Sequence, residues 1–300
     1  MTRTMIDGQE MALSNLDKAF YKKAGVTKGD VIDYYRQAYP VMKRHLDGRP
    51  LTLHRYPDGV HEDGFYQKQA PDYLPDFVER VEIEKREDGK QQQIVCDSEA
   101  TVAYLANLGT IEFHIWLSRL ERLNYPDKMV FDLDPPHDDF EAVRQAALDL
   151  RNLLREMKAE SYVMTTGSSG LHVAVSLEPE YLFDRVRSVV EMMASWVAAQ
   201  FPEKYTTEVR KDKREGRLFL DIARNAYAQT SVAPYSLRSR EQCSVAAPLD
   251  WGELHDSELH SRTYTIENTF RRLGQKDDPW KHFYDRPSLL GDLEERMEEL

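Results

Sequence analysis

This chain of 300 residues is poor in several things, and each shortage excludes something. It has two cysteines, Cys96 and Cys243, far apart and not in a CxxC pair. That excludes a disulfide framework and a cysteine zinc site, and it predicts two buried free thiols. No apolar run is long enough to cross a bilayer, and the first residues, MTRTMIDGQEMALSNLDK, lack the apolar core of a secretory signal, so the cytoplasm is the expected location, with no membrane partner. There is no glycine- or serine-rich linker, no internal repeat and no low-complexity tract, so one catalytic unit is expected. Excess positive charge is also missing. The formal net charge is −12, which argues against a protein that coats nucleic acid indiscriminately.

The charge that is present is uneven. Residues 71–100 carry nine acids and four bases, and the tail YDRPSLLGDLEERMEEL carries six acids and two bases. In contrast, residues 14–36 hold five bases against three acids, and residues 203–217 hold six against four. Screening makes charge a neighbourhood property over about 10 Å, so local basic patches survive the acidic total.

Periodicity predicts strands mixed with a few long helices, hence an α+β fold and not a repeating βαβ chain. Ser14 and Asp17 predict a capped short helix ending near Lys23. Thr27 predicts the cap of a second helix that buries Val31, Ile32, Tyr34, Tyr35 and Ala38. Strands are expected at PLTLHRYP, GFYQKQ, RVEIEKRE, QQQIVCDS, IEFHIWLSRL, KMVFDLDPP, SYVMTT, LHVAVSLE, RLFLDIARN and TSVAPYSLR. TVAYLANLG, DFEAVRQAALDLRNLLREMKA and VRSVVEMMASWVAAQF read as helices, and the last fifty residues as mainly helical.

Three acids stand out because they interrupt apolar strands. In KMVFDLDPP, Asp132 and Asp134 are two apart and so share a face, roughly 7 Å apart along the backbone. Asp221 sits likewise inside RLFLDIARN, on the face opposite Leu218, Leu220 and Ile222. Ionised carboxylates this close repel, and a hard divalent cation, magnesium or manganese, relieves that. Three of them could hold two metals about 4 Å apart, as in-line phosphoryl transfer requires. The acid pair alone reads more plainly as a solvent-facing strand end; adding Asp221 brings the two readings level.

The loop TTGSSGLHV supplies Gly167 and Gly170 for a tight bend with amides turned outward. Thr165, Thr166, Ser168 and Ser169 add hydroxyls, and His172 lies just beyond. An ordinary hairpin turn would read the same. YSLRSR places Arg238 and Arg240 on one side of an expected strand, shaped for a polyphosphate or simply a solvated basic face. Arg224 follows Asp221 by three residues. His114 lies in an apolar strand, where a satisfied core histidine is the plainer reading.

In order, FDLDPP, TTGSSGLHV, LFLDIARN and YSLRSR resemble the polymerase domain of bacterial DNA ligase D, within the archaeo-eukaryotic primase superfamily, which includes stand-alone end-joining primase-polymerases. LSNLDKAFYKKAGVTKGDVIDYY and IEFHIWLSR extend the likeness from about residue 10 to 285. The resemblance implies a primase-like core of mainly antiparallel sheets flanked by helices. The expected layout is one domain over 1–300, with an N-terminal lobe over about 1–100, a catalytic core over about 101–285 and an acidic helix over 286–300.

It also implies roles. Asp132, Asp134 and Asp221 match the metal-binding catalytic aspartates. His114, Thr166, Ser168, His172, Arg224, Arg238 and Arg240 match the nucleotide-binding side. Asn15, Lys18 and Lys28 match a pocket for the 5′-phosphate of downstream DNA. The implied activity is nucleotide addition to primer 3′ ends at gaps and double-strand breaks, with ribonucleotides preferred and with Mn2+ or Mg2+. Implied partners are gapped or broken DNA, NTP or dNTP, a DNA ligase and an end-binding protein, with nucleoid association during repair. Ligase and nuclease activities are expected to reside elsewhere. Ser169 stands where relatives often carry Lys or Arg, and Ile115 where they often carry Pro.

Two other classes fit parts of the pattern. A DxD sugar transferase would use Asp132 and Asp134 but leave Asp221 and the N-terminal lysines idle. A non-catalytic DNA-end bridging module would leave all three aspartates idle.

Overall fold

The computed structural model describes residues 2–84, 89–137 and 139–300. The chain begins with β1 (Thr2–Ile6), β2 (Gln9–Leu13), β3 (Ala19–Tyr21), β4 (Val26–Thr27) and helix α1 (Lys28–Leu46). β5 (Leu51–Arg55), β6 (Phe65–Gln67), β7 (Arg80–Glu84), β8 (Lys90–Ile94), α2 (Glu99–Asn107) and β9 (Thr110–Trp116) follow. Next come β10 (Lys128–Asp134), α3 (Phe140–Glu156), β11 (Ser161–Thr165), β12 (Leu171–Ser176), α4 (Phe183–Gln200), β13 (Tyr205–Thr206) and β14 (Leu218–Asp221). β15 (Thr230–Val232), β16 (Pro248–Leu249), α5 (Thr269–Leu273) and α6 (Leu290–Glu298) complete it. Among the described residues the strands pair antiparallel except β13 with β14, which gives the expected α+β class; one isolated parallel bridge joins Leu177 and Ser288. Among the described residues no helix is long and apolar enough to cross a membrane.

The chain divides into two compact units. The first comprises Met1–Trp116, Thr230–Ala246 and Thr265–Arg271; the second comprises Leu117–Gln229, Ala247–Tyr264 and Arg272–Leu300. The first unit holds a four-stranded sheet, ordered β15-β9-β5-β6, and the hairpins β1–β2, β3–β4 and β7–β8. α1 starts where the sequence places it. The Thr27 side chain accepts from the Asp30 amide, and the Asp30 side chain answers at the Thr27 amide. The five apolar positions expected on its inner face are all buried. α2 ends at Gly109, whose φ of +86° is the left-handed geometry that glycine adopts without strain. Cys96 and Cys243 are free and buried, as expected.

The second unit is built on a six-stranded sheet ordered β13-β14-β10-β12-β11-β16. Alternation divides its faces. Met129, Phe131, Leu133, Val163, Leu171, Val173, Val175, Leu218 and Leu220 join one apolar core with Val143, Leu150 and Leu154 of α3 and Val186, Val190 and Met193 of α4. The intervening residues of each strand point the other way, and Asp132, Asp134 and Asp221 are among these.

Four expectations are corrected. No helix forms over 14–23: Asn15 has a φ of 54°, which a helix cannot use, and the chain turns instead into the β3–β4 hairpin. Ser14 caps nothing; its hydroxyl and carbonyl accept from Lys28 Nζ. TSVAPYSLR is extended only through Val232, because Tyr235 takes a φ of 66°, and within YSLRSR only Leu237 makes an isolated bridge, to Val245. The last fifty residues are mostly turns and irregular backbone, with α5, α6 and a short 3-10 helix at Trp251–His255; the helix expected over 286–300 runs Leu290–Glu298. Residues 85–87 of RVEIEKRE lie outside the described residues.

Leu150 is fully buried between α3 and the sheet. Leu150→Ala is expected to lower unfolding free energy by about 2–5 kcal/mol in a denaturant titration, through the cavity it leaves.

Candidate active site

Register brings the acids together. In the second unit, Asp132 of β10 lies directly opposite Asp221 of β14 on one side and His172 of β12 on the other. Cross-strand partners share a face, and so do residues two apart, so His172, Asp132, Asp221 and Asp134 project from the same side of the sheet. Slipping the register by one residue would drive them into the core and expose Phe131 and Leu133, so core packing fixes the acidic row. Carboxylate oxygens of Asp132, Asp134 and Asp221 all lie within 4.8 Å of one another.

Their environments differ. Asp132 is 5 % exposed, with His172 Nε2 at 3.3 Å from one oxygen and Arg224 Nε at 3.3 Å from the other. Burial alone would raise its pKa, but His172 and then Arg224 outweigh burial and hold it low. Among the described residues no cationic side chain forms an ion pair with Asp134 or Asp221. Burial, followed by repulsion from Asp132 and Asp221, raises Asp134 to about 6. Asp221 Oδ1 accepts from the Ala223 amide at 2.7 Å and so starts the turn that carries Arg224. Asn225, fully buried in that turn, accepts from the Val130 amide at 2.9 Å and donates to the Val130 carbonyl at 2.7 Å. It continues the β10 ladder past the end of β14 and locks the turn beside Asp132. Three oxygen donors with surplus negative charge fit a hard divalent cation.

The glycine loop differs in detail from expectation. Thr166 Oγ1 accepts from the amides of Ser168 (3.3 Å) and Gly170 (3.2 Å), so these two amides turn inward, not outward. Thr166 also donates to the Gly170 carbonyl at 3.1 Å, closing the loop on itself. At Gly170 a Cβ would overlap the Leu133 carbonyl oxygen, so only glycine lets the loop lie against the exit of β10. Ser169 leaves the loop without a basic residue of its own. Arg262 brings a guanidinium there instead, with Nε donating to the Ser168 carbonyl at 2.7 Å, beside Ser261 Oγ at 3.0 Å.

The other expected residues lie in the first unit. His114 on β9 has Nε2 at 3.0 Å from Glu112 Oε2, and Arg238 Nε lies 3.3 Å from Glu112 Oε1. Arg240 is exposed two residues further on. Asn15, Lys18 and Lys28 form a second cluster. The Lys18 amide donates to the Asn15 carbonyl at 3.0 Å, and the Lys28 amide to the Lys18 carbonyl at 2.8 Å. Lys18 Nζ meets Asp58 and the Pro57 carbonyl, while Lys28 Nζ donates to the Ser14 carbonyl at 2.7 Å. Burial lowers the Lys28 ammonium to about 8, and Lys18 pushes the same way. Two lysines this close, at the N-terminus of the 19-residue helix α1, favour an anion.

Comparison with known proteins assigns the chain to a family. The family model described as LigD, primase-polymerase domain, matches residues 27–280. The chain belongs to the LigD primase-polymerase domain family. It is 34% identical over 280 residues to the bifunctional non-homologous end joining protein LigD of Bacillus subtilis, covering 93% of this chain and 45% of that protein. The multifunctional LigD of Mycolicibacterium smegmatis is 34% identical over 274 residues, covering 90% and 35%. The chain thus spans less than half the length of these curated relatives. Among solved structures, the polymerase domain of Mycobacterium tuberculosis ligase D in complex with DNA matches with a TM-score of 0.87 at 29% identity, covering 93% of this chain and 99% of that one. As a member of a primase-polymerase domain family, this chain is a nucleotidyltransferase.

For this LigD-type domain, sequence reasoning passed over Glu112, Asn225 and Arg262. Glu112 carries the same signal that exposed Asp132, an acid inside an apolar strand. Asn225 and Arg262 act through backbone groups distant in sequence, which no local pattern reports. Ile115, at the position often proline in relatives, pairs with Ser231 and Leu51 within β9.

The raised Asp134 pKa has a sign. A carboxyl that holds its proton more tightly when folded makes the metal-free fold lose stability as pH rises from about 4 to about 6, and that loss persists above. Asp134→Asn is therefore expected to raise metal-free stability at pH 7.5 by about 1–2 kcal/mol, discounted for partial exposure. Added Mn2+ should reverse the order of the two thermal midpoints. A metal-free variant no more stable than wild type would contradict the crowding.

Proposed function

We propose that this chain adds nucleotides to primer 3′ ends at gaps and double-strand breaks, with ribonucleotides preferred, by two-metal nucleotidyl transfer. The observation that carries this reading is the convergence of Asp132, Asp134 and Asp221 within 4.8 Å. These three would hold the metals. Bound magnesium or manganese supplies charge neutralisation at the attacking oxygen and at the departing pyrophosphate.

The chain's own residues do the rest. His172 and Arg224 keep Asp132 ionised, ready to ligate, and would offer N–H donors to a triphosphate. Thr166 holds the glycine loop in shape, with Ser168 half-way along it. His114, Arg238 and Arg240 take nucleotide phosphate in the first unit. Since phosphoryl transfer asks little covalent chemistry of the protein, fixing the nucleotide and the primer end is its main contribution.

Asn15, Lys18 and Lys28 would take the 5′-phosphate of the downstream strand, which selects gaps and processed breaks over intact duplex. An anion bound there favours the charged form of Lys28. Relatives named for non-homologous end joining support a setting in which a DNA ligase and an end-binding protein act on the same break, at the nucleoid.

The test is primer extension on a gapped duplex, with and without a 5′-phosphate, in Mg2+ or Mn2+ and with NTPs or dNTPs. Metal-dependent extension is expected, stronger with Mn2+ and NTPs and stimulated by the 5′-phosphate. Asp132→Ala should abolish extension while DNA binding persists. Lys28→Ala should remove the stimulation by the phosphate. Equal binding of phosphorylated and unphosphorylated gaps by wild type would refute the pocket; extension surviving in Asp132→Ala would refute the catalytic assignment.

A further inference from the structure

Glu112 lies on β9, 2 % exposed, directly across the ladder from His54 of β5. Its two oxygens divide their partners. Oε2 faces His114 Nε2 at 3.0 Å and His54 Nδ1 at 3.5 Å. Oε1 accepts from the Ser239 amide at 2.9 Å and the Ser239 hydroxyl at 2.7 Å, and Arg238 Nε lies 3.3 Å away. Burial would push this carboxyl up, but His114 and His54, then Arg238, outweigh it and hold it well below the usual carboxylate range. A buried carboxylate so thoroughly partnered is tolerated; one stripped of partners is strongly destabilising.

The sign of that charge needs explaining. A buried anion beside groups that take phosphate weakens the local attraction for phosphate. What it adds is orientation. Arg238 lies in a turn segment between left-handed residues Tyr235 and Cys243; its amide donates to the Ser244 carbonyl at 2.8 Å and its carbonyl accepts from the Tyr21 hydroxyl at 2.9 Å, so its backbone is placed and the long guanidinium arm is what remains to be oriented. Glu112 ties this turn to β9 through the Ser239 amide, and on its other oxygen fixes the His114 ring. The imidazole and the guanidinium are thereby both held before any ligand arrives, and a ligand then loses less freedom on binding.

We infer that Glu112 is a positioning residue, whose carboxylate preassembles His114 and Arg238 into a rigid grip for a nucleoside triphosphate. The inference rests on reading His114 and Arg238 as nucleotide-binding.

The test uses the full chain with ATP and Mn2+, measuring equilibrium binding and steady-state extension. Glu112→Gln keeps the shape but turns an NH2 toward donors on one side. Its Kd and KM for ATP are expected to rise at least ~10-fold, with kcat at saturating ATP within ~3-fold of wild type. In a His114→Ala/Arg238→Ala background the same change should add less than ~2-fold, because Glu112 acts through those groups. Unchanged Kd and KM in Glu112→Gln, or its full penalty persisting in that background, would overturn the inference. If Glu112→Gln loses its thermal transition, Glu112→Asp carries the test: an ATP Kd raised in wild type but not in the double-alanine background supports positioning, and an equal rise in both overturns it. Wild-type ATP affinity in the double-alanine variant would instead overturn the underlying reading of the site.

Discussion

Everything in the second unit serves one electrostatic conflict: three carboxylates on one face of a sheet, nearer to each other than their charges favour. They stay there because the opposite face of the same strands is locked into a core with α3 and α4. The strands cannot slip or rotate without exposing Phe131, Leu133, Leu171 and Leu220, and a single buried leucine or phenylalanine side chain is worth about 1.5–3 kcal/mol. Packing therefore supplies the free energy that keeps like charges together, and the raised pKa of Asp134 is the mark of that arrangement. A divalent cation is the ligand that turns this repulsion into attraction.

The first unit poses the converse problem, since its candidate phosphate sites gather positive charge. It handles the two clusters differently. Lys18 and Lys28 stand close together at the start of α1, with carbonyl oxygens and Asp58 as counterweights, and burial lowers the Lys28 ammonium to about 8. His114 and Arg238 are organised around a buried carboxylate. A chain with a net charge of −12 thus carries compact anion sites by shaping charge over a few ångströms, inside the screening length.

How much of this was legible in the sequence depends on the kind of signal. The acids Asp132, Asp134 and Asp221 were visible because each breaks an apolar alternation, and the family order of motifs placed them together. Long amphipathic helices such as α3 and the Thr27-capped α1 were equally plain, since periodicity and capping are local. The failures share a cause. Ser14–Lys23 and YSLRSR look like regular elements, but Asn15 and Tyr235 adopt left-handed backbone geometry that neither helix nor strand can use. The outward amides of the glycine loop were misjudged because Thr166 competes for them. Asn225 and Arg262 bond to backbone groups far away in sequence, and a single sequence carries no trace of such pairings.

The most direct test of the central claim counts metal. Mn2+ binding to the full chain at pH 7.5 can be followed by the electron paramagnetic resonance signal of free Mn2+. The account predicts saturable uptake that Asp221→Asn weakens at least ~10-fold, because Asp221 stands across the ladder from Asp132 and shares its cation. Wild-type uptake in Asp221→Asn would contradict it, since the three carboxylates would then not be acting as one site.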